Sequence, residues 1–335
     1  MKRVLVVRND KLGDFMLAWP AMALIKTHWS EARITALVPA YTAPMARLCP
    51  WIDEVLIDDK TESAGALARR LRPEHFDVML ALFSTSRVAL AGWLARIPYR
   101  LAPATKLAQF FYTHREIQRR SRSEKPEYVY NRDLAARFLR DHGIASEPLP
   151  QPPYLTFAPD DIAARRALLV AENGWAADSR IVFVHPGSGG SASNLSVAQY
   201  VRLARGLRAS RPLAFVVTAG PGEEAMARAL LEELGGLPAA LYHSTAGLEE
   251  FARQVACADL FVSGSTGTLH IAGALDVPTA AFYPRRRSAT PLRWQTLNSP
   301  ERRLAFTPPD TAGEFEMSAI DLEQAARQIS EVLLR

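Results

Sequence analysis

The sequence predicts an α/β protein made of two doubly wound domains, each with a parallel sheet between helices. Short apolar runs alternate with amphipathic segments in both halves of the chain. Polar or glycine-rich turns follow several of these runs, as at the carboxyl ends of parallel strands. Four prolines lie between positions 148 and 153. Such a run is typical of a stiff linker, so it predicts the boundary between the two domains.

Composition agrees with two globular domains and narrows the class of partner. The 335 residues suffice for about two domains. The formal net charge of +5 favours anionic partners. We expect no nucleic acid among them, because no zinc-finger spacing or RNP-like motif is present. Two distant cysteines, Cys49 and Cys257, favour a reducing cytoplasm. No apolar run is long enough to span a bilayer, so we expect a soluble or peripheral protein.

In the first half, Val4–Val7 predicts a buried strand, Arg8–Gly13 a polar turn, and Phe15–Lys26 a helix that Pro20 starts or kinks. Asp14 is then either a ligand-facing carboxylate at a strand end or a simple N-cap. Asp58 and Asp59 favour a solvated turn over a metal site. Further strands are predicted at Arg33–Val38, Glu54–Ile57, Val78–Phe83 and Tyr99–Leu101. Helices are predicted at Thr42–Leu48, Ser63–Leu71, Val88–Ala95 and Tyr130–Leu139.

The most basic stretch of the chain covers residues 113–126. One interpretation is a solvated loop, and the other is a cationic lip for an anionic acceptor or a membrane surface. Both stay open. The residues that would decide between them are His114, Arg115, Arg119 and Arg120.

The second half repeats the alternation. A glycine-rich turn, His185–Ser191, follows the predicted strand Arg180–Val184 and is a candidate anion cradle. Glu223 and Glu224 open a helix, where a carboxylate accepts from a ribose hydroxyl or complements the helix dipole. Further helices are predicted at Asp160–Asn173, Val197–Leu207, Thr245–Val255 and Ala319–Leu334, and further strands at Ala214–Thr218 and Thr279–Tyr283.

The stretch Ala258–Leu275 has the pattern of a phosphate site. A buried strand, Leu260–Val262, leads through the small-residue turn Ser263–Thr268 into a helix. The first N–H groups of such a helix and its dipole attract an anion, although the same pattern also serves as a purely structural turn. His270 would lie in the first helical turn, where it could donate to a phosphate oxygen near neutral pH.

Three blocks of the sequence resemble glycosyltransferase family 9, which includes the lipopolysaccharide heptosyltransferases. They are Val4–Pro20 with its Leu12-Gly13-Asp14, Val184–Gly189, and Ser265–His270 with the residues that follow. The resemblance implies a GT-B fold of two facing Rossmann-like domains with an interdomain cleft. Residues 1–150 would bind the acceptor and residues 151–317 the nucleotide sugar, and a helix within 318–335 would pack back on the first domain.

The resemblance also implies an activity. It is the inverting, metal-independent transfer of a sugar, most often heptose from ADP-heptose, onto a lipopolysaccharide core. No cofactor is implied beyond the nucleotide sugar as co-substrate. The acceptor would be an anionic glycan, and the protein would be cytoplasmic, with peripheral contact with the inner membrane left open. A family 9 enzyme with another donor, a nucleotide-sugar epimerase and a non-catalytic family member remain alternatives.

Site residues carry over from the family by position. Asp14 matches the general base, Ser265 the donor-sugar contact, and Glu223 or Glu224 the nucleoside contact. The donor diphosphate positions are Gly187, Ser188, Gly189, Thr266, Gly267, Thr268 and His270. Candidate cations for phosphates or acceptor are Arg8, Lys11, Arg119, Arg120, Arg285, Arg287 and Arg293.

The chain departs from the family pattern at two of these places. The family usually has Asp where this chain has Ser265, and a lysine is missing from the run Ser193–Ser196. We hypothesise that the basic residues beyond Thr279–Tyr283 supply the missing charge. These residues are Arg285, Arg286, Arg287 and Arg293.

Overall fold

The computed structural model describes residues 2–105, 107–188 and 193–335. The chain divides into two compact units, Met1–Gln151 and Pro152–Arg335, so the division lies within the proline run. Each unit has one six-stranded sheet, and every neighbouring pair of strands is parallel.

The sheet of the first unit has the order β3-β2-β1-β4-β5-β6. Its central strand β1 is a run of valine and leucine whose residues 4–7 are at most 1% exposed, as expected where helices cover both faces of a sheet. The strands are β1 Arg3–Val7, β2 Arg33–Val38, β3 Glu54–Ile57, β4 Val78–Ala81, β5 Tyr99–Pro103 and β6 His114–Glu116. The helices are α1 Leu12–Met16, α2 Trp19–His28, α3 Ala43–Leu48, α4 Ala64–Leu71, α5 Ser86–Leu94 and α6 Glu127–Asp141.

The single helix predicted at Phe15–Lys26 is two helices, α1 and α2. Pro20 lies in the first turn of α2, where its missing N–H has no partner to lose. Asp14 is therefore inside α1, in its first turn, and is not the N-cap residue, which is Lys11.

The second unit has the order β12-β11-β10-β7-β8-β9. Each sheet therefore has one topological switch point, between β1 and β4 in the first unit and between β7 and β10 in the second. Open parallel sheets bind their ligands at such points. The strands are β7 Arg180–His185, β8 Leu213–Ala219, β9 Ala239–His243, β10 Leu260–Gly264, β11 Thr279–Phe282 and β12 Arg303–Phe306. The helices are α7 Pro159–Glu172, α8 Val197–Gly206, α9 Glu224–Glu233, α10 Leu248–Val255, α11 Gly267–Ala274 and α12 Leu322–Leu333.

The last helix, α12, lies against α8 in the core of the second unit. The expectation that a helix within 318–335 packs back on the first domain stays a prediction. The apolar stripe of α12, which includes Ala326 and Ile329, has the helical spacing that packing against α8 needs. Gly206 allows the close approach, since a Cβ there would be 2.9 Å from the Cβ of Ala326.

None of the helices in the described ranges combines the length and apolar character needed to cross a membrane.

Candidate active site

A buried acidic cluster follows β1 in the first unit. The guanidinium of Arg8 donates from Nη2 to Oδ1 of Asp14 at 2.6 Å and from Nε to Oδ1 of Asp10 at 2.9 Å. Its Nη1 donates to Oε1 of Glu127 at 2.8 Å and to Oδ1 of Asn131 at 3.0 Å, both on α6. One arginine therefore ties the end of β1, the first turn of α1 and the start of α6 together.

Burial gives this cluster unusual electrostatics. The side chain of Arg8 is only 3% exposed and that of Glu127 only 1%. The surrounding carboxylates outweigh burial and raise the pKa of Arg8 above its usual value. Burial raises the pKa of Asp10 to about 6; Arg8 opposes this shift and Asp14 adds to it. Asp10 is thus a partly protonated neighbour of Asp14 near neutral pH, and the sequence analysis did not select it.

The candidate cations of the first unit differ in what they can reach. Arg8 and Arg120 are bound to protein carboxylates, since Nη1 of Arg120 also donates to Glu127, at 2.7 Å. Lys11 and Arg119 are exposed. Any anion held here would accordingly meet Lys11 or Arg119 more readily than the other two.

The expectation of a solvated turn at Asp58 and Asp59 is right for Asp59 and wrong for Asp58. Asp58 is not solvated: it is buried, accepts from Asn9 at 2.5 Å and binds Nη2 of Arg87 through both oxygens at 2.6 and 2.7 Å. Asp59 is exposed and accepts from its near neighbour Thr61, as a turn residue does.

In the second unit, the turn after β7 is built around Glu223. A Cβ on Gly187 would overlap the Glu223 carboxylate, so a larger residue there would have to displace that side chain. Oε2 of Glu223 accepts from the Gly220 N–H at 2.9 Å and lies 3.5 Å from Nε2 of His185. Nδ1 of His185 lies 2.9 Å from the hydroxyl oxygen of Thr218. Burial lowers the pKa of His185, and Glu223 opposes that shift.

The structure separates the two candidate nucleoside contacts. Glu224, in the first turn of α9, lies 2.7 Å from Nε2 of His243 at the end of β9. Its pKa is lowered, first by its own backbone N–H and then by the N–H of Gly222 and by His243. Glu223 faces the turn after β7, whereas Glu224 faces the neighbouring strand end, so the two residues line different parts of the site.

Asn194 organises this turn, and the sequence analysis noted it only as part of a run without lysine. Its amide donates to the carbonyl oxygens of Pro186 and Gly187 at 2.7 and 3.1 Å. Its Oδ1 accepts from the Tyr200 hydroxyl at 2.5 Å. A Cβ on Gly264 would lie 2.6 Å from the same oxygen. Asn194 therefore joins the turn after β7 to the end of β10.

The turn after β10 leads into α11 with an open N-terminus. Thr266 is the N-cap residue but makes no side-chain cap; its hydroxyl lies 2.8 Å from that of Thr268. By contrast, α8 begins with a full capping box between Ser196 and Gln199. Thr266 therefore does not cap the first N–H groups of α11, and such groups at the start of a helix can bind an anion.

Other predicted residues of the donor site belong to the turns after β7 and β10. Ser265, Gly267 and Thr268 are half-buried in the turn after β10, and Ser188 is half-buried after β7. Gly189 lies outside the described residues. Since β7 and β10 are neighbours, their two turns meet at one edge of the sheet.

His270 is a buried residue of α11. It is only 2% exposed, and burial lowers its pKa to about 4. The imidazole is therefore neutral near pH 7 and cannot supply the charge that a titrating histidine would. Within the described ranges its Nδ1 has no hydrogen-bond partner. A buried ring nitrogen left in this way is suited to a ligand oxygen or a water.

The arginines beyond β11 are not equivalent. Arg285 donates to the carbonyl oxygens of Pro309, Asp310 and Ala312, so it holds a loop of its own unit. Arg286 lies over the ring of Phe315. Arg287 is exposed and Arg293 is half-buried, with its guanidinium 5.4 Å from the centre of the Trp294 ring. Arg285 is thus taken up by its loop, and Arg286, Arg287 and Arg293 remain the candidates for a phosphate contact.

Residues 2–105, 107–188 and 193–335 contain no group of three or more His, Cys, Asp or Glu side chains that could hold a metal ion. A cavity of about 300 Å³ lies beside β11 and β12, lined by Tyr283, Leu292, Gln295 and Arg303 among others. It is lined by none of the donor-site residues predicted above.

Known proteins resemble this chain in sequence and in fold. The sequence profile of glycosyltransferase family 9 (heptosyltransferase) matches residues 64–306. A Haemophilus influenzae protein, provisionally named a glycosyltransferase, is 45% identical over 98% of this chain and 96% of its own length.

Two solved structures show the same fold. The family 9 glycosyltransferase of Veillonella parvula covers 99% of this chain and 97% of its own, with a TM-score of 0.80 and 16% identity. The E. coli ADP-heptose lipopolysaccharide heptosyltransferase II covers 100% and 99%, with a TM-score of 0.78 and 17% identity. The fold is thus that of the GT-B enzymes of this family, and the chain is a glycosyltransferase that belongs to glycosyltransferase family 9.

Proposed function

We propose that this chain is an inverting, metal-independent transferase that moves a heptose from ADP-heptose onto a lipopolysaccharide core or a related cell-envelope glycan. The acidic cluster after β1 is the observation that carries the proposal. Arg8 binds one oxygen of Asp14, and among the described residues no hydrogen bond reaches the other oxygen. A carboxylate fixed in this way can accept a proton on its second oxygen.

The reaction is a single displacement. Asp14 takes the proton of an acceptor hydroxyl while that oxygen bonds to the anomeric carbon of the donor. The bond from this carbon to the diphosphate breaks, and ADP leaves with the electron pair. Because the acceptor attacks opposite the leaving group, the configuration at the anomeric carbon inverts.

The second unit would hold the donor and stabilise the charge that develops on the diphosphate. Backbone N–H groups at the start of α11, with the hydroxyls of Thr266 and Thr268, are suited to its oxygens. Neutral His270 would donate one N–H to the leaving group. Arg286, Arg287 or Arg293 would supply the positive charge that the lysine usual in the family provides.

Glu223 and Ser265 bear on the identity of the donor. We assign Glu223 to a hydroxyl of the nucleoside, because it lies against the glycine turn after β7. Ser265 stands where the family usually has a carboxylate. A family 9 transferase with a different nucleotide sugar is therefore the second candidate, and both share the same mechanism.

The proposal gives the protein no cofactor besides its nucleotide-sugar co-substrate and no nucleic-acid partner. It places the protein in the cytoplasm, at the inner face of the membrane, because a lipopolysaccharide acceptor is anchored there by its lipid. The anionic acceptor would meet Lys11 and Arg119, which are the exposed members of the four candidate cations in the first unit.

A donor panel tests the proposal. Calorimetry with ADP, UDP, GDP, CMP and ADP-heptose should show preference for ADP and ADP-heptose. Transfer should continue in EDTA, and NMR of the product should show the inverted anomer. Preference for UDP or GDP would move the donor to another sugar. Retention of configuration, or loss of transfer in EDTA, would overturn the mechanism.

A further inference from the structure

Three large apolar side chains are strongly exposed in a short part of the first unit. Leu107 is 80% exposed, Phe110 70% and Ile117 81%. Single exposed apolar residues are ordinary on protein surfaces, but a cluster of them marks an interaction site.

A 3-10 helix presents two of these side chains in one direction. It covers Leu107–Phe111, and residues three apart in such a helix lie on the same face. Leu107 and Phe110 therefore share the outward face. Ala108 lies on the inner side and is buried, and the ring of Phe111 is 6.0 Å from that of Trp93 on α5. The helix is thus fixed on the unit with an apolar face left outside.

The third side chain belongs to an exposed face at the sheet edge. Exposed and less exposed residues alternate along β6 and beyond, so that Arg115, Ile117 and Arg119 share one face. The N–H of Ala104 donates to the carbonyl oxygen of Glu116 at 2.8 Å. Leu107, three residues after Ala104, can be no more than about 11 Å along the chain from that contact. The two apolar elements are therefore neighbours.

The charged groups that this face offers to a partner are positive. The nearby carboxylates are paired, Glu116 with Arg137 at 3.2 Å and Glu124 with Arg122 at 3.6 Å. Arg115 and Arg119 are exposed, and neither has an ion pair among the described contacts. The face combines protruding apolar groups with flanking cations, which is what an anionic membrane surface attracts.

We propose that Leu107, Phe110 and Ile117, with Arg115 and Arg119, form a docking surface for an anionic phospholipid bilayer. A second copy of the chain fits less well, because a two-fold interface would place this cationic face against itself.

The docking surface also lies beside the candidate acceptor side. The chain runs from Ile117 through Gln118, whose amide donates to the carbonyl oxygen of Tyr130, to Arg120, which binds Glu127. Glu127 in turn binds Arg8. The inference deepens the proposed function, since a lipid-anchored acceptor would reach Asp14 from this side.

Vesicle sedimentation tests the docking surface without any substrate, so its outcome is separate from that of the proposed transfer. The full-length protein should sediment with phosphatidylethanolamine–phosphatidylglycerol vesicles and not with phosphatidylcholine. Phe110→Ser with Ile117→Ser should weaken binding about tenfold or more. Arg115→Gln with Arg119→Gln should weaken it about tenfold and reduce its salt dependence. Leu168→Ser, at an exposed leucine of α7, is the matched control and should change nothing.

Two results would overturn the proposal. One is that the wild-type protein does not bind anionic vesicles, or that the paired serine variant binds them as well as the control. The other is that sedimentation velocity shows a dimer which the serine variant alone dissociates, since the surface would then be a subunit interface. Circular dichroism of each variant verifies that the fold is kept.

Discussion

Asp10 should destabilise the folded protein at neutral pH, and Asp10→Asn should therefore stabilise it. Burial raises the pKa of Asp10 from 3.8 to about 6. A group whose pKa is raised on folding contributes stability that is complete below its unfolded pKa and is lost as pH rises through its folded pKa. The loss spans about pH 4 to pH 6 and amounts to about 3 kcal/mol above that window.

The asparagine variant removes this titration but keeps an oxygen that can accept from Arg8. We expect it to be more stable than the wild type by up to about 3 kcal/mol at pH 8, with the difference falling to almost nothing near pH 4. Urea unfolding followed by tryptophan fluorescence suits the measurement, because Trp19, Trp29, Trp51 and Trp93 lie in the first unit. Glu323→Gln, at an exposed carboxylate of α12, controls for the loss of one charge.

The pH dependence decides the outcome. A variant that is less stable than the wild type at pH 8 would refute the reasoning. A stability difference that stays constant from pH 4 to pH 8 would refute it equally, because it would come from packing and not from ionisation.

Three further predictions concern single side chains. Glu127→Ala should lower the free energy of unfolding by about 1.5–3 kcal/mol, because it removes the buried carboxylate that accepts from both Arg8 and Arg120. Glu127→Gln should lower it by less, and equal stability of the alanine variant in urea would contradict this. Gly187→Ala should weaken ADP binding about tenfold or more in calorimetry, because the added Cβ displaces the Glu223 carboxylate. Gly65→Ala, where a Cβ meets nothing closer than 3.9 Å, is the control and should leave ADP binding unchanged. His270→Ala should lower kcat about 100-fold without changing the pH–rate profile above pH 5.5, because the histidine is already neutral there; an inflection near pH 6.5 that the variant abolishes would disagree.

The fold was largely predictable because parallel strands in a sheet covered on both faces are continuous apolar runs. The strands that the sequence analysis did not predict are β6, β9 and β12, and all three are edge strands. An edge strand is only half covered, so β6 can read His-Arg-Glu and carry no apolar run at all. The apolar stripe of α12 was visible in the sequence, but such a stripe does not tell which surface it covers.

The positions of the turns in the candidate site were predictable, but the pairing and the protonation of its charged residues were not. Glycine, serine and threonine after strands indicated the turns after β7 and β10, which form the candidate donor site. Nothing in the local sequence shows that Arg8 and Glu127, 119 residues apart, meet in the core. The same holds for Asp58, whose partner Arg87 lies 29 residues away. Burial is a tertiary property, and it decides that Asp10 holds its proton to about pH 6 and that His270 stays neutral.

The most direct test of the account is single-turnover transfer by Asp14→Asn, followed by mass spectrometry of the product. The variant keeps the shape of the side chain and an oxygen that can accept from Arg8, but it cannot take up the acceptor proton. The account predicts that ADP-heptose binds as it does to the wild type while transfer falls by about 100-fold or more. Transfer at the wild-type rate, with unchanged binding, would contradict the role of Asp14 as the base.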